Sequence, residues 1–487
     1  MFTLINALFA LIMIGILLLI GRFLKQKVRL FQSLYLPESV IAGGVALLLG
    51  PAVLGAIAST VSGTDSLLAG GLFPKAMATV WSQSPGVFIN VVFAALFLGE
   101  AIPSPRKIWR KAAPQVAFGQ TLAWGQYVIG LLLVLLVLSP IFGVDPIAGA
   151  LIEIAFEGGH GTAAGMTDTF RKLGFNDGGD LALGLATVGI LSGVIAGTWL
   201  ASWGRRKGYI HRSPDPSSEL QQFRDKIQNT IQQTIQREPT EVRLARARLM
   251  DGLLIDPLSL NLAFVGVAIA IGWVILAVLK FIESVTWGAG GFQVIQYVPL
   301  FPMALIGGLI VQVVTVRLGI GSLIIRPLQE RISGVALDVV IVTALASISL
   351  RVLGNNLLPF LILAIAGIIW NIWAFVFLAP RILPRYWFER GIGDMGQSMG
   401  VTATGILLIQ MVDPDNHTGA FESFAYKQLF FEPIVGGGLF TAAAPALIVQ
   451  FGPSVVLLLT TGLLAFWLMF GLWNFKRMRK TVRQANL

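Results

Sequence analysis

Long apolar runs separated by short polar stretches make up most of the chain. About 20 consecutive apolar residues are enough for a helix to cross the hydrocarbon core of a bilayer. Eleven runs have roughly this length, at about 3–21, 36–57, 77–98, 115–139, 181–203, 257–279, 298–316, 334–351, 357–379, 429–450 and 454–474. The pattern predicts an all-α polytopic membrane protein with about 11 spans.

Two further stretches, 146–166 and 392–411, are moderately apolar but are interrupted by glycine and charge. Backbone that is not helical has unpaired N–H and C=O groups. At membrane depth it is tolerated only where it is buried in protein or lines a cavity. We therefore expect both stretches to form re-entrant hairpins rather than spans.

Two pairs of segments resemble each other across the halves of the chain. The second and seventh spans share a proline and a later Gly-Gly, in LPESVIAGG (36–44) and VPLFPMALIGG (298–308). The two interrupted stretches share an acid, then glycines, then hydroxyls, in EGGHGTAAGM (157–166) and DMGQSMGVTATG (394–405). Each half has four spans, a hairpin and one more span, and an odd number of crossings reverses the orientation of the second half. We predict inverted repeats with a binding site at their interface, as in secondary transporters.

The predicted organisation has four parts. They are an N-terminal repeat at 1–203 with its hairpin at 146–166, a cytoplasmic linker at 204–256, an inverted C-terminal repeat at 257–450 with its hairpin at 392–411, and an extra span with a basic tail at 451–487. One stripe of apolar residues in the linker predicts an amphipathic helix on the inner membrane face or against a partner subunit. The stripe consists of Leu220, Phe223, Ile227, Ile231 and Ile235.

The distribution of Lys and Arg predicts the orientation. With the N-terminus outside, the inside segments hold 30 basic residues and the outside segments hold 4. Without the long 204–256 segment the split is still 20 against 4, which satisfies the positive-inside rule. The net charge of +10 therefore indicates topology rather than a nucleic-acid surface. We expect no cleaved signal peptide, because the first apolar run is as long as a full span.

Composition narrows the chemistry. Only 12% of residues are charged, the mean hydropathy is +0.78, and the chain has no cysteine. The lack of cysteine excludes disulfides, thiol catalysis and cysteine-ligated zinc. At a hairpin tip, free backbone N–H groups suit an anionic substrate and carbonyl groups suit Na⁺. Glycine lets a ligand approach the backbone closely, and hydroxyl groups can serve both ions.

The motifs GGHGTAAGM, LPESVIAGG and GQSMGVTATG resemble the bacterial sodium/glutamate symporter family. The resemblance implies uptake of L-glutamate together with a co-transported sodium ion by a multi-pass carrier of the cell inner (plasma) membrane. It also implies two inverted five-span repeats, elevator-type movement within the lipid bilayer, and a homodimer. No enzymatic activity, organic cofactor or nucleic-acid partner is expected.

The candidate site lies between the tips at 157–162 and 394–404. We predict substrate binding by Gly158, Gly159, His160, Gly161, Thr162, Gln397, Ser398, Gly400, Thr402, Thr404 and Arg351. The candidate sodium ligands are Glu157, Asp394, Thr187 and Asn371, with Glu432 as a weaker candidate. Intramembrane acids are functional by default. His160 has an alternative role as a structural histidine, and Arg351 has one as an interface anchor.

Three other functions are weighed against glutamate symport. The sequence GIGD at 391–394 matches a signature of intramembrane aspartyl proteases, which need a second embedded aspartate. In that family the second aspartate follows a tyrosine, and no tyrosine here precedes an aspartate. An ion channel could also be built from paired hairpins. A carrier of another carboxylate or amino acid, coupled to Na⁺ or H⁺, is the remaining alternative.

Overall fold

The computed structural model describes residues 3–63, 66–100, 102, 105–210 and 256–485. These ranges contain helices and no β-strand, which confirms the predicted all-α class. The amphipathic stripe predicted between Leu220 and Ile235 lies outside the described residues, so it stays a prediction.

Sixteen principal helices, numbered in chain order, form the described part of the fold. They are α1 (Leu4–Lys27), α2 (Glu38–Ser62), α3 (Lys75–Ala95), α4 (Pro105–Leu133), α5 (Leu151–Phe156), α6 (Gly159–Gly165), α7 (Thr167–Lys172), α8 (Gly178–Lys207), α9 (Pro257–Val285), α10 (Phe301–Arg317), α11 (Arg326–Ala346), α12 (Leu357–Phe377), α13 (Trp387–Val412), α14 (Ala420–Phe431), α15 (Leu439–Phe451) and α16 (Pro453–Ala485). Shorter helical turns, including Arg29–Ser33, Leu350–Asn355 and Ala379–Ile382, connect them.

Eight described helices are long and apolar enough to cross a membrane. Seven of them coincide with predicted spans, namely α1, α2, α4, α8, α9, α12 and α16. Helices α3 and α11 also have span length, with 21 residues each, and α10 is a shorter apolar helix. The local hydropathy pattern therefore located these helices correctly.

The eighth helix, α13, has the length of a span but folds back on itself. Gly400 and Val401 have non-helical backbone angles, with φ −149° and φ 62°. A Cβ atom placed on Gly405 would lie 2.5 Å from the carbonyl oxygen of Gly393, twelve residues earlier. A straight helix would separate these residues by about 18 Å, at 1.5 Å of rise per residue. The two arms therefore run side by side as a helical hairpin, with Gly400 and Val401 at its tip.

The first interrupted stretch is also a broken helix. Helix α5 ends before Glu157, and α6 begins at Gly159, whose φ is +65°. Glycine adopts this left-handed conformation at little cost. The helix is interrupted here, at the second residue of the Gly-Gly-His-Gly-Thr motif.

A third break lies where a continuous span was expected. The prediction of one span over 429–450 is wrong, because residues 432–438 separate α14 from α15. Gly436 and Gly437 have φ of +74° and +105°. A helix cannot pass through these angles, although the apolar composition on both sides resembles that of an unbroken span.

The helices form two bundles. Helices α1, α2, α3, α9, α10 and α11 pack on one another around two apolar clusters that include Ile14, Trp81 and Ala268. The other bundle contains all three broken segments together with α4, α8, α12 and α16. The largest cluster of buried apolar residues lies in this bundle and continues into the first one at Ile89 and Phe301. Helix α6 contacts α3 and α11 of the first bundle.

Close packing of the α13 arms generates the first prediction. We expect Gly405→Ala to lower the thermal midpoint, because its methyl group would meet both the Gly393 carbonyl oxygen and the Phe424 ring, at 2.5 and 2.8 Å. Overpacking of this kind costs about 1–3 kcal/mol. The measurement is thermal unfolding of detergent-solubilised protein, followed by tryptophan fluorescence. Gly462→Ala in α16 is the matched control, since a Cβ there meets nothing within 4 Å. Equal midpoints for the two variants would contradict the hairpin.

Candidate functional site

The tips of the two predicted hairpins meet. A Cβ atom placed on Gly159 would lie 2.1 Å from Cγ1 of Val401, so the residue at this position has to be glycine. Helix α8 closes the contact from one side, where a Cβ on Gly189 would lie 2.3 Å from the Met399 carbonyl oxygen. The structure thus brings together the segments around 157–162 and 394–404.

A side-chain contact joins the same two segments. The Ser398 hydroxyl donates a hydrogen bond to Oε1 of Glu157. The Ser398 carbonyl group, just before the tip of α13, accepts from Gln126 at 2.7 Å and from Asn371 at 3.1 Å. Because backbone groups near a helix break lack intrahelical partners, α4 and α12 supply side-chain donors to this one.

Glu153 connects the first break to the third. Its fully buried carboxylate accepts from the Tyr127 hydroxyl at 2.5 Å, and from the Gly436 N–H and the Thr441 hydroxyl at 2.8 Å each. Glu157 follows four residues later, so both acids lie on the same side of the chain as α5 ends. The non-helical backbone at Gly436 therefore provides a donor that a regular helix would not.

A buried ion pair joins α13 to α14. Lys427 Nζ lies 3.0 Å from Oδ1 of Asp394 and donates to Oε1 of Gln397 at 2.6 Å. The other oxygen of Asp394 accepts from Gln115 Nε2 at 2.8 Å. Both charged side chains are fully buried. Asp394, a predicted sodium ligand, therefore already has a cationic partner.

Glu432 completes the set of acids, directly after α14. Oε1 of Glu432 accepts from the Thr402 hydroxyl at 3.1 Å and from Gln397 Nε2 at 3.4 Å. Thr402 in turn accepts from Gln428 at 3.0 Å. The second hairpin and the third break thus share one polar network.

The network contains more acidic than basic side chains. Glu153, Glu157, Asp394 and Glu432 are each at most 7% exposed, and Lys427 is the one cationic side chain with an ion pair to any of them in the described ranges. An unpaired carboxylate away from water is unfavourable by several kcal/mol or more. A bound cation or a proton at these acids would remove this cost.

Several buried polar atoms of this region have no hydrogen-bond partner within the described residues. They include Glu157 Oε2, Thr162 Oγ1, Gln126 Oε1 and Gln120 Nε2. Most buried polar groups in proteins are paired. Three of these four atoms are oxygens, the ligand type that alkali and other hard cations prefer. A Cβ atom on Gly437 of the third break would lie 2.7 Å from Thr162 Oγ1, so this oxygen faces the break.

The remaining predicted residues divide into two groups. His160, Thr187 and Thr404 lie close to the tips: His160 Nε2 is 2.9 Å from the Thr187 hydroxyl, and Thr404 donates to the Gly400 carbonyl group. Arg351 lies apart, exposed in the short helix Leu350–Asn355. Its position fits the alternative role of an interface anchor better than contact with a ligand at the tips.

A small recess lies close to the first tip. Its volume is about 100 Å³, and its polar lining includes Ser82, Asn176, Asp180 and Ser347. Ala164 and Leu183 also line it, one helical turn from His160 and Thr187, respectively. The recess therefore lies between the first bundle and the segment that carries the first tip.

Sequence reasoning missed several residues of the network. Glu153, Lys427, Gln115 and Tyr127 were not predicted, and Glu432 was ranked low. Two signals were available in the sequence. Glu153 precedes Glu157 by four residues within an apolar stretch, and the triplet Gly436 to Gly438 interrupts an otherwise apolar run.

Comparison with known protein families assigns this chain to one of them. The family model of the sodium/glutamate symporter matches residues 86–414, which is more than half of the chain. The chain belongs to the sodium/glutamate symporter family. The matched range contains both interrupted stretches. It therefore confirms the family resemblance noted in the sequence.

One curated relative is the "Sodium/glutamate symporter" of Haemophilus influenzae. The two proteins are 24% identical over 429 residues, which covers 87% of this chain and 91% of the relative. No solved structure matches the chain. Membership of a symporter family places the protein among membrane transporters. The geometry at Asp394 agrees with this assignment. An aspartyl protease would require a second aspartate beside it, whereas Asp394 pairs with Lys427.

The contact between the tips generates the second prediction. We expect Gly159→Ala to destabilise the protein strongly, because the methyl group would overlap Val401 Cγ1 and because φ at this residue is +65°. Gly174→Ala is the matched control, with φ +91° but nothing within 4 Å of its Cβ. The measurement is the thermal midpoint in detergent.

The double variant Gly159→Ala/Val401→Ala tests whether the overlap itself is the cause. Residues in contact show non-additive effects of about 0.5–3 kcal/mol. We expect the double variant to recover part of the midpoint lost by Gly159→Ala. A strictly additive result would mean that the two tips do not touch.

Proposed function

We propose that the protein is a secondary active transporter that imports glutamate by Na⁺ symport. The observation that carries the proposal is the buried network, where four carboxylates face one lysine at the meeting point of three helix breaks. Membership of the sodium/glutamate symporter family supports both the cation and the substrate.

Sodium binding would compensate the excess negative charge. We propose Glu157, Thr187 and Asn371 as sodium ligands, with Glu432 beside them. Glu157 has one oxygen without a partner in the described residues and interacts electrostatically with Lys427, Glu153 and Glu432. Repulsion among nearby carboxylates disfavours the empty site, and a bound cation relieves it.

Glutamate would bind beside the sodium ions, between the tips. Its carboxylates suit the backbone N–H groups of a glycine-rich segment, and its ammonium group suits the acids that remain. The proposed substrate-binding residues are Gly158, Gly159, His160, Gly161, Thr162, Gln397, Ser398, Gly400, Thr402 and Thr404. Because substrate and cations compensate each other's charge, neither is expected to bind well alone.

We propose elevator-type movement of the bundle with the three breaks against the bundle of α1 to α3 and α9 to α11. The contact between the bundles supports this proposal. Helix α6 presents Gly161 and Gly165 to Ile89 and Phe301 of the opposite bundle. Small residues at a helix interface allow close approach with little interlocking of side chains, which favours sliding.

The inverted repeat is proposed on the packing pattern and on the residue motifs. The first three helices of each half correspond in order, so that α1, α2 and α3 match α9, α10 and α11. Helix α1 packs on α2, and α9 packs on α10 in the same way. Helix α2 packs on α11 of the other half, and α10 packs on α3. The charge distribution supports an outside N-terminus and a cytoplasmic C-terminus in the plasma membrane. Lys427 no longer counts among the 30 basic residues on the inside. It was assigned to an inside loop but lies buried in α14. The homodimer implied by the family resemblance stays a prediction.

The third prediction concerns sodium dependence. We expect Glu157→Gln to raise the Na⁺ concentration needed for half-maximal glutamate uptake by about tenfold or more, since one pairwise interaction of about 1.4 kcal/mol corresponds to a factor of ten. The affinity for glutamate at saturating Na⁺ should change less. The measurement is uptake of labelled glutamate into proteoliposomes under imposed Na⁺, K⁺ and H⁺ gradients.

Glu330→Gln is the control for this experiment. Glu330 forms an exposed ion pair with Arg326, away from the network, and such pairs contribute little. Equal sodium dependence of Glu157→Gln and Glu330→Gln would exclude Glu157 as a ligand. Undiminished uptake by the wild type without Na⁺ would overturn sodium coupling and favour coupling to protons or transport of another carboxylate.

The fourth prediction concerns topology. The absence of native cysteine makes single cysteines specific reporters. We expect Ser62→Cys to react with a membrane-impermeant maleimide in intact cells, and Ser217→Cys to react only after permeabilisation. Labelling of Ser217→Cys from outside would overturn the orientation and the inverted repeat together.

A further inference from the structure

Lys427 is held on every side inside the protein. Its ammonium group contacts the carboxylate of Asp394 at 3.0 Å and the amide oxygen of Gln397 at 2.6 Å. The rings of Phe431 and Phe424 have their centroids 4.2 and 4.9 Å from Nζ. Both distances are within the range of cation–π attraction.

Helix α4 closes the remaining side. A Cβ placed on Gly119 would lie 3.1 Å from Nζ and 2.9 Å from Cδ of Lys427. An ammonium group has three N–H donors. Two are directed to oxygen acceptors and the third faces aromatic rings, so none is left for a carboxylate of the substrate.

Each carboxylate oxygen of Asp394 has a donor of its own. One of its oxygens binds Lys427 and the other accepts from Gln115 Nε2 at 2.8 Å. The other three acids of the network differ, because Glu153, Glu157 and Glu432 have no ion pair within the described residues. One of the four carboxylates thus has an ion pair and three do not, although the charge of Lys427 also acts on Glu157 and Glu432.

We infer that Lys427 acts as a tethered cation, which occupies at Asp394 the place that a transported sodium ion would otherwise take. The inference rests on the proposed sodium symport and specifies which acids take part in it. Coupling then uses the carboxylates without an ion pair, Glu157 and Glu432 foremost. Asp394, predicted from the sequence as a sodium ligand, contributes no transported ion.

The inference predicts a change in the number of cations that move with each glutamate. Removing the ammonium group leaves two oxygen ligands for a cation, Oδ1 of Asp394 and Oε1 of Gln397, beside the two aromatic rings. A buried carboxylate without a cation is strongly unfavourable, so a sodium ion should enter in its place. We expect Lys427→Met to move one more positive charge per glutamate than the wild type.

The double variant Asp394→Asn/Lys427→Met, called the neutral pair, is the second variant of this test. It removes both charges, so no extra cation is needed, and we expect the number of charges per glutamate found in the wild type. Lys280→Met in α9 is the control for the loss of a lysine away from the network. The measurement is the reversal potential of glutamate-coupled current in proteoliposomes, with Na⁺ and glutamate gradients set independently.

Thermal unfolding in detergent supplies a second readout that needs no transport. A ligand that binds only the folded state raises the thermal midpoint with its concentration. We expect the midpoint of Lys427→Met to rise more steeply with NaCl than that of the wild type, at ionic strength kept constant with choline chloride. The neutral pair and Lys280→Met should follow the wild type.

Two results would overturn the inference. One is a Lys427→Met variant with the charge number and sodium response of the wild type. The other is a neutral pair that moves one charge fewer, which would make Asp394 a ligand of a transported ion. If Lys427→Met does not fold, the number of charges that the neutral pair moves per glutamate tests the inference by itself. A wild type without Na⁺-driven glutamate uptake would refute the proposed function instead, and the thermal series would still report on Lys427.

Discussion

The burial of carboxylates away from water is the constraint on which the rest of this structure depends. Glu153, Glu157, Asp394 and Glu432 lie in the interior of a bundle that is apolar around them. Each acid needs donors or cations nearby, because the interior offers no water to solvate it. The helices supply these donors by breaking: the Gly436 N–H group reaches Glu153 only because residues 432–438 are not helical.

The breaks in turn require glycine and close approach. Gly159 and Gly436 have positive φ, and the two arms of α13 approach through Gly393 and Gly405. A side chain at these points would separate segments whose polar groups have to reach one another. The high glycine content of the motifs is therefore a consequence of burying charge at a place where backbone and ligand come together.

Charge balance links this architecture to transport. An ion pair between Lys427 and Asp394 compensates one acid within the protein, and the acids without such a pair make the site dependent on what binds there. A site that is complete only when its ligands are present couples their binding, because each ligand removes part of the cost of burying the others. Helix α6 of one bundle contacts the other bundle through the small residues Gly161 and Gly165.

The spans, the family and the glycine-rich motif followed from the sequence alone, because hydropathy and motif spacing are local properties of the chain. The amino acids also indicated that the segments around Gly159 and Gly400 would meet. Tertiary structure decided which groups pair. Lys427 meets Asp394 across 33 residues, and Glu153 meets Gly436 across 283. No local pattern encodes such contacts, since they join separate segments that only the tertiary fold brings together. The span expected over 429–450 was wrong for the same reason: its apolar composition does not show that Gly436 turns toward a buried acid.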